Sequence, residues 1–285
     1  MLCYHESVPK SFAQRLARAI DLSGSLLCVG LDPDAAKLPA DLASKPQALQ
    51  AFNRRIVDAT CNLAAAYKPQ IAFYSAKGAE EQLAASIRYI CERAPGALVI
   101  LDAKRADIGN TAEAYAAEAF DRYGADAVTV NPYMGEDSVR PFLARKDRGA
   151  VLLCRTSNPG AKDFQDLQID GLPLYRHVAR RAAADWNGFG NLMLVVGATV
   201  PLEMAHLRAA HPEVPFLVPG IGAQGGDLRA TLEAGLDSRG TGLLISASRS
   251  IIYAGGGSAA SIGNAAAELH AAINSQRHRM VSTAS

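Results

Sequence analysis

Eight short runs of apolar or β-branched residues recur along the chain, and between them lie stretches with a helical period. The runs fall at 26–31, 69–74, 97–101, 127–130, 150–154, 192–196, 216–218 and 242–246, and Leu49, Phe52, Ile56 and Leu63 illustrate the helical spacing between them. A strand with one wet face alternates polar and apolar residues; a strand that is apolar throughout is covered on both faces, as in parallel sheets flanked by helices. Eight such units in about 250 residues predict a closed (β/α)8 barrel of the TIM type, an α/β fold, with an open doubly wound sheet as the alternative. No Pro/Gly/Ser-rich linker divides the 285 residues, so residues 1–285 read as one barrel domain. The Ala/Gly-rich stretch 254–263 reads as a loop, and the polar tail from about Ser275 as a frayed, flexible terminus.

Composition narrows the function classes. Twenty-nine Lys and Arg against twenty-eight Asp and Glu leave a net charge of +1, without the basic excess of a protein that grips nucleic acid by its phosphates. The five cysteines (Cys3, Cys28, Cys61, Cys91 and Cys154) are odd in number and never in CxxC, which suggests neither a disulfide framework nor a zinc knuckle and points to a reducing cytoplasm. The six histidines form no HExxH or HxH pair, so no catalytic metal is expected. The opening residues lack a signal-peptide pattern, and no apolar run reaches the ~18 residues a membrane span needs.

In a (β/α)8 barrel, chemistry collects at the carboxyl ends of the strands. Asp32, Lys68, Asp102 with Lys104, Asn131, Thr156 with Ser157, Gln224 and Arg249 stand at or just beyond those ends. The sharpest segment is 99–111, VILDAKRADIGNT, where an apolar strand runs straight into Asp102, Lys104 and Asp107. The strand period of two puts Asp102 and Lys104 on one face. A lysine flanked by carboxylates is held as the ammonium, able to deliver a proton. The run 220–226, GIGAQGG, matches GxGxxG, but it follows the seventh strand rather than the first and no acidic residue completes a ribose contact. A glycine-rich loop after strand seven, with Arg249 after strand eight, is instead the phosphate position of such barrels, and its glycines suit a closing lid.

DAKRADIGNT resembles the Asp-x-Lys-x-x-Asp signature of the orotidine 5′-phosphate decarboxylase family. The likeness extends through GLDPD (30–34), YKPQIAFY (67–74), RTSNPGA (155–161) and PGIGAQGGD (219–227), over roughly residues 12–254, and is similar to the bacterial type 2 subgroup. The resemblance implies decarboxylation of orotidine 5′-monophosphate to UMP, the last step of de novo UMP synthesis, without a metal, flavin or pyridoxal cofactor. It implies that Lys104 protonates C6 of the pyrimidine, with Asp102 beside the departing carboxylate. It makes the enzyme a homodimer in which Asp107, with Ile108 and Thr111, serves the partner's pocket. Asp32 and Lys68 match ribose contacts and Ser157 a pyrimidine contact. Gln224 and Arg249 match the phosphate grip, beside Pro219. The last motif, SASRS (246–250), carries Ser248 where many members have glycine, leaving its backbone N–H for the phosphate.

The chemistry gives the lysine a physical reason. Direct decarboxylation leaves a carbanion-like centre with no carbonyl to delocalise into, so a preorganised cation at C6 must stabilise it. Repulsion of the substrate carboxylate by Asp102 is a second contribution. Two rivals share parts of this pattern: a Mg²⁺-dependent sugar-phosphate lyase or synthase such as hexulose-phosphate synthase, and a non-catalytic nucleotide-binding barrel.

Overall fold

The computed structural model describes residues 10–221 and 225–284. Eight parallel strands close on themselves in sequence order: β1 Leu27–Leu31, β2 Ala66–Pro69, β3 Leu98–Arg105, β4 Ala127–Val130, β5 Gly149–Arg155, β6 Leu192–Val196, β7 Phe216–Pro219 and β8 Leu243–Ala247. Closure is direct, with Leu27, Cys28 and Val29 of β1 opposite Ile245, Ser246 and Ala247 of β8. Helices follow the strands and cover the outside, as the apolar strands require. A small antiparallel hairpin, Gln168–Ile169 with Leu172–Pro173, is inserted after β5.

Six runs match their strands to within a residue or two at the ends, and the third continues four residues past Leu101 to Arg105. The second is displaced. The stretch 69–74, expected as a strand, is instead a turn leading into a short helix, Ala72–Ser75, and the strand lies just before it. Pairing with β1 sets this register, Cys28 opposite Ala66 through Leu31 opposite Pro69. Proline cannot donate to a ladder, so Pro69 stands at the strand's end. The aromatic and β-branched residues that mimicked a strand are still buried: Ile71 and Tyr74 face the interior, and Tyr74 Oη accepts from Asn53 Nδ2 at 2.6 Å. Lys68 thereby becomes part of a strand end.

The stretch 254–263 divides. Residues Ala254–Gly257 form a short 3-10 turn in which Gly255, Gly256 and Gly257 have positive φ, a conformation costly for other residues. A helix then runs from Ala259 to Ala284, so the segment from Ser275 read as a frayed tail is helical. Ser258 Oγ accepts from Ser261 N at 3.3 Å at its start, and Ile262, Ala266 and Ile273 bury one face.

The N-terminal helix, Phe12–Ser23, shuts the end of the barrel away from the strand carboxyl termini. Ser11 and Gln14 cap it reciprocally, and Gly24 in the left-handed region ends it. Arg15 pairs with Asp126, whose other oxygen accepts from Val99 N at the start of β3 at 2.7 Å. Phe12 lies against Gly149, where a Cβ would stand 2.5 Å from Phe12 Cζ. Gly149→Ala is therefore expected to lower stability by about 1–3 kcal/mol through overpacking while leaving turnover per folded molecule unchanged. Urea denaturation with active-site titration checks both, and an unchanged midpoint contradicts the packing.

Candidate active site

Two strand ends meet at one carboxylate. Asp102 Oδ1 accepts from Lys104 Nζ at 2.6 Å and Oδ2 from Lys68 Nζ at 2.7 Å. Asp102 and Lys68 are each 7% exposed, whereas the Lys104 side chain is 47% exposed and reaches the opening. Burial disfavours the Asp102 anion, but the Lys68 and Lys104 ammonium groups outweigh it and hold the carboxyl well below the usual range. Burial likewise opposes the charge on Lys68, and Asp102 together with Asp32 overcomes it, leaving this lysine more basic than usual.

Asp102 and Lys104 converge as expected, though not on a regular strand. The β3–β4 register shifts between Leu101 and Arg105, and Lys104 has φ +48°, rare for a residue with a side chain. Thr129 of β4 sits under this irregularity: its Oγ1 accepts from Ala103 N and Lys104 N, both at 2.9 Å, and donates to Asp102 Oδ1 at 2.9 Å. Reading the sequence missed Thr129. Its signal was one hydroxyl inside the apolar run Ala127–Val130.

These groups line a cavity of about 470 Å³ at the carboxyl ends of the strands, shared with Asp32, Pro219, Ser248 and Arg249. At the β1 end, Asp32 Oδ2 accepts from Ser248 Oγ at 2.6 Å, while buried Oδ1 has no partner among the described residues. Tyr253 Oη donates to the Asp32 carbonyl at 3.2 Å and accepts from Asp34 N at 2.7 Å, tying β1 to the segment after β8. Ser248 thus uses its hydroxyl, which a glycine lacks. It also packs tightly on Gly30, where a Cβ would stand 2.6 Å from Ser248 Cβ. Arg249, just past β8, lines the cavity and is exposed. Gln224 lies outside the described residues; on either side of it, Gly226 N donates to Gly220 O at 3.1 Å.

The remaining expected residues do not line this cavity. Asp107 Oδ1 accepts from Ile108 N at 2.8 Å, and Ile108 and Thr111 are exposed at the start of the helix Gly109–Ala117. Ser157 lies against Gly197, where a Cβ would be 2.8 Å from Ser157 Cβ. Asn131 caps the turn after β4 by accepting from Tyr133 N at 3.0 Å. Thr156 N donates to Gln165 Oε1 at 2.8 Å, and buried Arg155 pairs with Asp166 beneath that loop. Among the described residues no group of three or more His, Cys, Asp or Glu is placed to hold a metal ion, and no helix is long and apolar enough to cross a membrane.

The family model described as orotidine 5′-phosphate decarboxylase / HUMPS matches residues 25–262. The chain is similar to the orotidine 5′-phosphate decarboxylase of Azoarcus sp., 56% identical over 268 residues that cover 93% of this chain and 99% of that protein. The Janthinobacterium sp. protein of the same name is 56% identical over 244 residues, 86% of this chain and 90% of that one. Among solved structures, Leishmania donovani OMP decarboxylase superposes with a TM-score of 0.83 at 42% identity, covering 94% of this chain and 99% of that one.

The charge arrangement has a pH signature. A carboxyl lowered on folding contributes stability that is complete above its unfolded value and is lost as pH falls toward its folded one. The raised Lys68 contributes below the ordinary lysine range and loses its contribution only as pH rises through its higher folded value. Asp102→Asn leaves buried Lys68 without its counter-charge and is expected to cost about 3–5 kcal/mol at neutral pH. The melting-temperature gap to wild type should hold between about pH 7 and 5 and shrink below about pH 4. A gap unchanged down to pH 3 contradicts the assignment.

Proposed function

The chain belongs to the orotidine 5′-phosphate decarboxylase / HUMPS family, and on that premise we propose that its barrel mouth decarboxylates orotidine 5′-monophosphate to UMP and carbon dioxide. The observation that carries this reading is the Lys68–Asp102–Lys104 array at one wall of the cavity, with Arg249 at the other. As the C6–carboxylate bond breaks, its electron pair stays on C6 and carbon dioxide leaves. Lys104 Nζ stabilises that pair and donates its proton to it. Asp102 stands beside the departing carboxylate. Lys68, with three donors and one given to Asp102, keeps others for the ribose. Asp32 takes a ribose hydroxyl through the carboxylate oxygen left unpartnered; Ser157, outside the cavity lining, takes its pyrimidine contact from the family resemblance alone. Arg249, Gln224 and the Ser248 backbone hold the phosphate beside Pro219; Gln224 takes this role from the family resemblance alone. Phosphate affinity, remote from C6, then fixes the ring against Lys104.

A Mg²⁺-dependent sugar-phosphate reaction is the second reading, since the family description spans it. The charge argues against it: two ammonium groups already stand on the Asp102 carboxylate and would repel a divalent cation there. Purified protein is expected to consume orotidine 5′-monophosphate, followed by its ultraviolet absorbance, at the same rate with and without EDTA. Loss of the activity in EDTA, restored by Mg²⁺, favours the second reading.

The functional unit proposed is a homodimer, with Asp107, Ile108 and Thr111 completing the partner's pocket. Exposed apolar side chains on the loops after β3, β4 and β5 support it: Ile108, Tyr133, Met134 and Phe164, with the Tyr133 and Phe164 rings edge to face at 6.3 Å. Lys104→Ala and Asp107→Ala homodimers should both be inactive. In a mixed dimer both lesions fall in one site and the other is intact, so random exchange should recover roughly a quarter of wild-type activity. No recovery, with mixed dimers verified by mass spectrometry, removes Asp107 from the shared site. A reducing cytoplasm fits the buried thiols Cys28 and Cys154, which burial pushes up to about 12.

A further inference from the structure

We propose that Thr129 is a positioning residue for the proton donor: its hydroxyl holds Lys104 in the backbone conformation that aims the ammonium group along the cavity wall. The inference rests on the reading of Lys104 as that donor.

Between Leu101 and Arg105 the β3–β4 ladder breaks register, so the amides of Ala103 and Lys104 take a side chain as their partner. Thr129 Oγ1 accepts from both, using its two lone pairs, and its one proton goes to Asp102 Oδ1. Every hydrogen-bonding capacity of this hydroxyl is used, at 2.9 Å in each case, in a residue 2% exposed. The amides it holds lead directly into Lys104, the one residue of β3 with a side chain that takes a positive φ. Lys104 would not keep that conformation unless its surroundings over-determined it. A regular strand would carry the chain past the cavity; the bulge re-aims the side chain. The same hydroxyl orients the Asp102 oxygen that Lys104 grips, so donor and counter-charge are set by one atom. The β-branched side chain has restricted χ1 freedom, which keeps that atom in place.

Valine has the shape of threonine without the hydroxyl, and serine keeps the hydroxyl without the methyl. Displacing a reacting group by about 1 Å costs on the order of 100-fold in rate, so Thr129→Val should lower kcat on the order of 100-fold. Its dissociation constant for UMP, measured by titration calorimetry, should stay within about threefold of wild type, because the ribose and phosphate contacts lie on other strands. Thr129→Ser should restore kcat to within about fivefold of wild type. Should the valine variant not fold, Thr129→Ala against Thr129→Ser supplies the same contrast.

Three results each overturn the proposal: the valine variant keeping wild-type kcat, serine being as slow as valine, or UMP affinity falling in step with kcat. Lys104→Ala assayed in parallel separates the two levels. If it turns over normally, the donor reading fails and the proposal with it; if it is inactive while Thr129→Val is fast, only the positioning role fails.

Discussion

Asp102 lies almost wholly buried between two lysines carried by β2 and β3, and its ionisation in that position organises the whole mouth of the barrel. An isolated carboxylate at that depth would take up a proton; with an ammonium group on each oxygen it stays charged, and buried Lys68 stays charged with it. The pairing demands that β2 and β3 end at matching heights, which the closed sheet enforces through the Cys28–Ala66 and Ala66–Leu98 registers. The rigid barrel therefore holds like and unlike charges together before any substrate arrives, which is what electrostatic preorganisation requires.

That arrangement suits a reaction in which negative charge moves a short distance. The substrate carboxylate would stand against Asp102, and on loss of carbon dioxide the charge would pass to C6 beside Lys104. At the other wall, the Ser248–Asp32 and Tyr253–Asp32 hydrogen bonds join the β1 end to the segment carrying Arg249. Asp32 and the phosphate-side Arg249 are thus mechanically one unit, and Lys68, which would also meet the sugar, ties that unit to the reacting wall through Asp102.

Much of this was legible in the sequence because burial on both faces leaves an unmistakable mark. Apolar runs such as Ala127–Val130 and Leu192–Val196 coincide with their strands, since a sheet covered by helices admits a polar residue only where it finds a buried partner, as Thr129 does. The second strand was misjudged because local β-propensity in 69–74 competed with ladder pairing, and pairing won at Pro69. The helix from Ala259 was hidden by its alanines and by the glycines that precede it, which carry little periodic signal. Asp102, Lys104, Asp32 and Arg249 were recognisable as strand-end polar groups, and all line the cavity. Thr129 was not, because a single hydroxyl in an apolar strand shows its purpose only when the neighbouring bulge is known. The role proposed for Asp107 would belong to a second chain, and nothing periodic in one chain can express that.

The most direct test of the account is a crystal structure of the protein with UMP bound. The account predicts Lys104 Nζ within about 3–3.5 Å of pyrimidine C6, Asp102 still held by both lysines, a ribose hydroxyl on Asp32 and the phosphate on Arg249. A nucleotide bound with C6 turned away from Lys104, or with its phosphate at the Lys68–Asp102 wall, would contradict it.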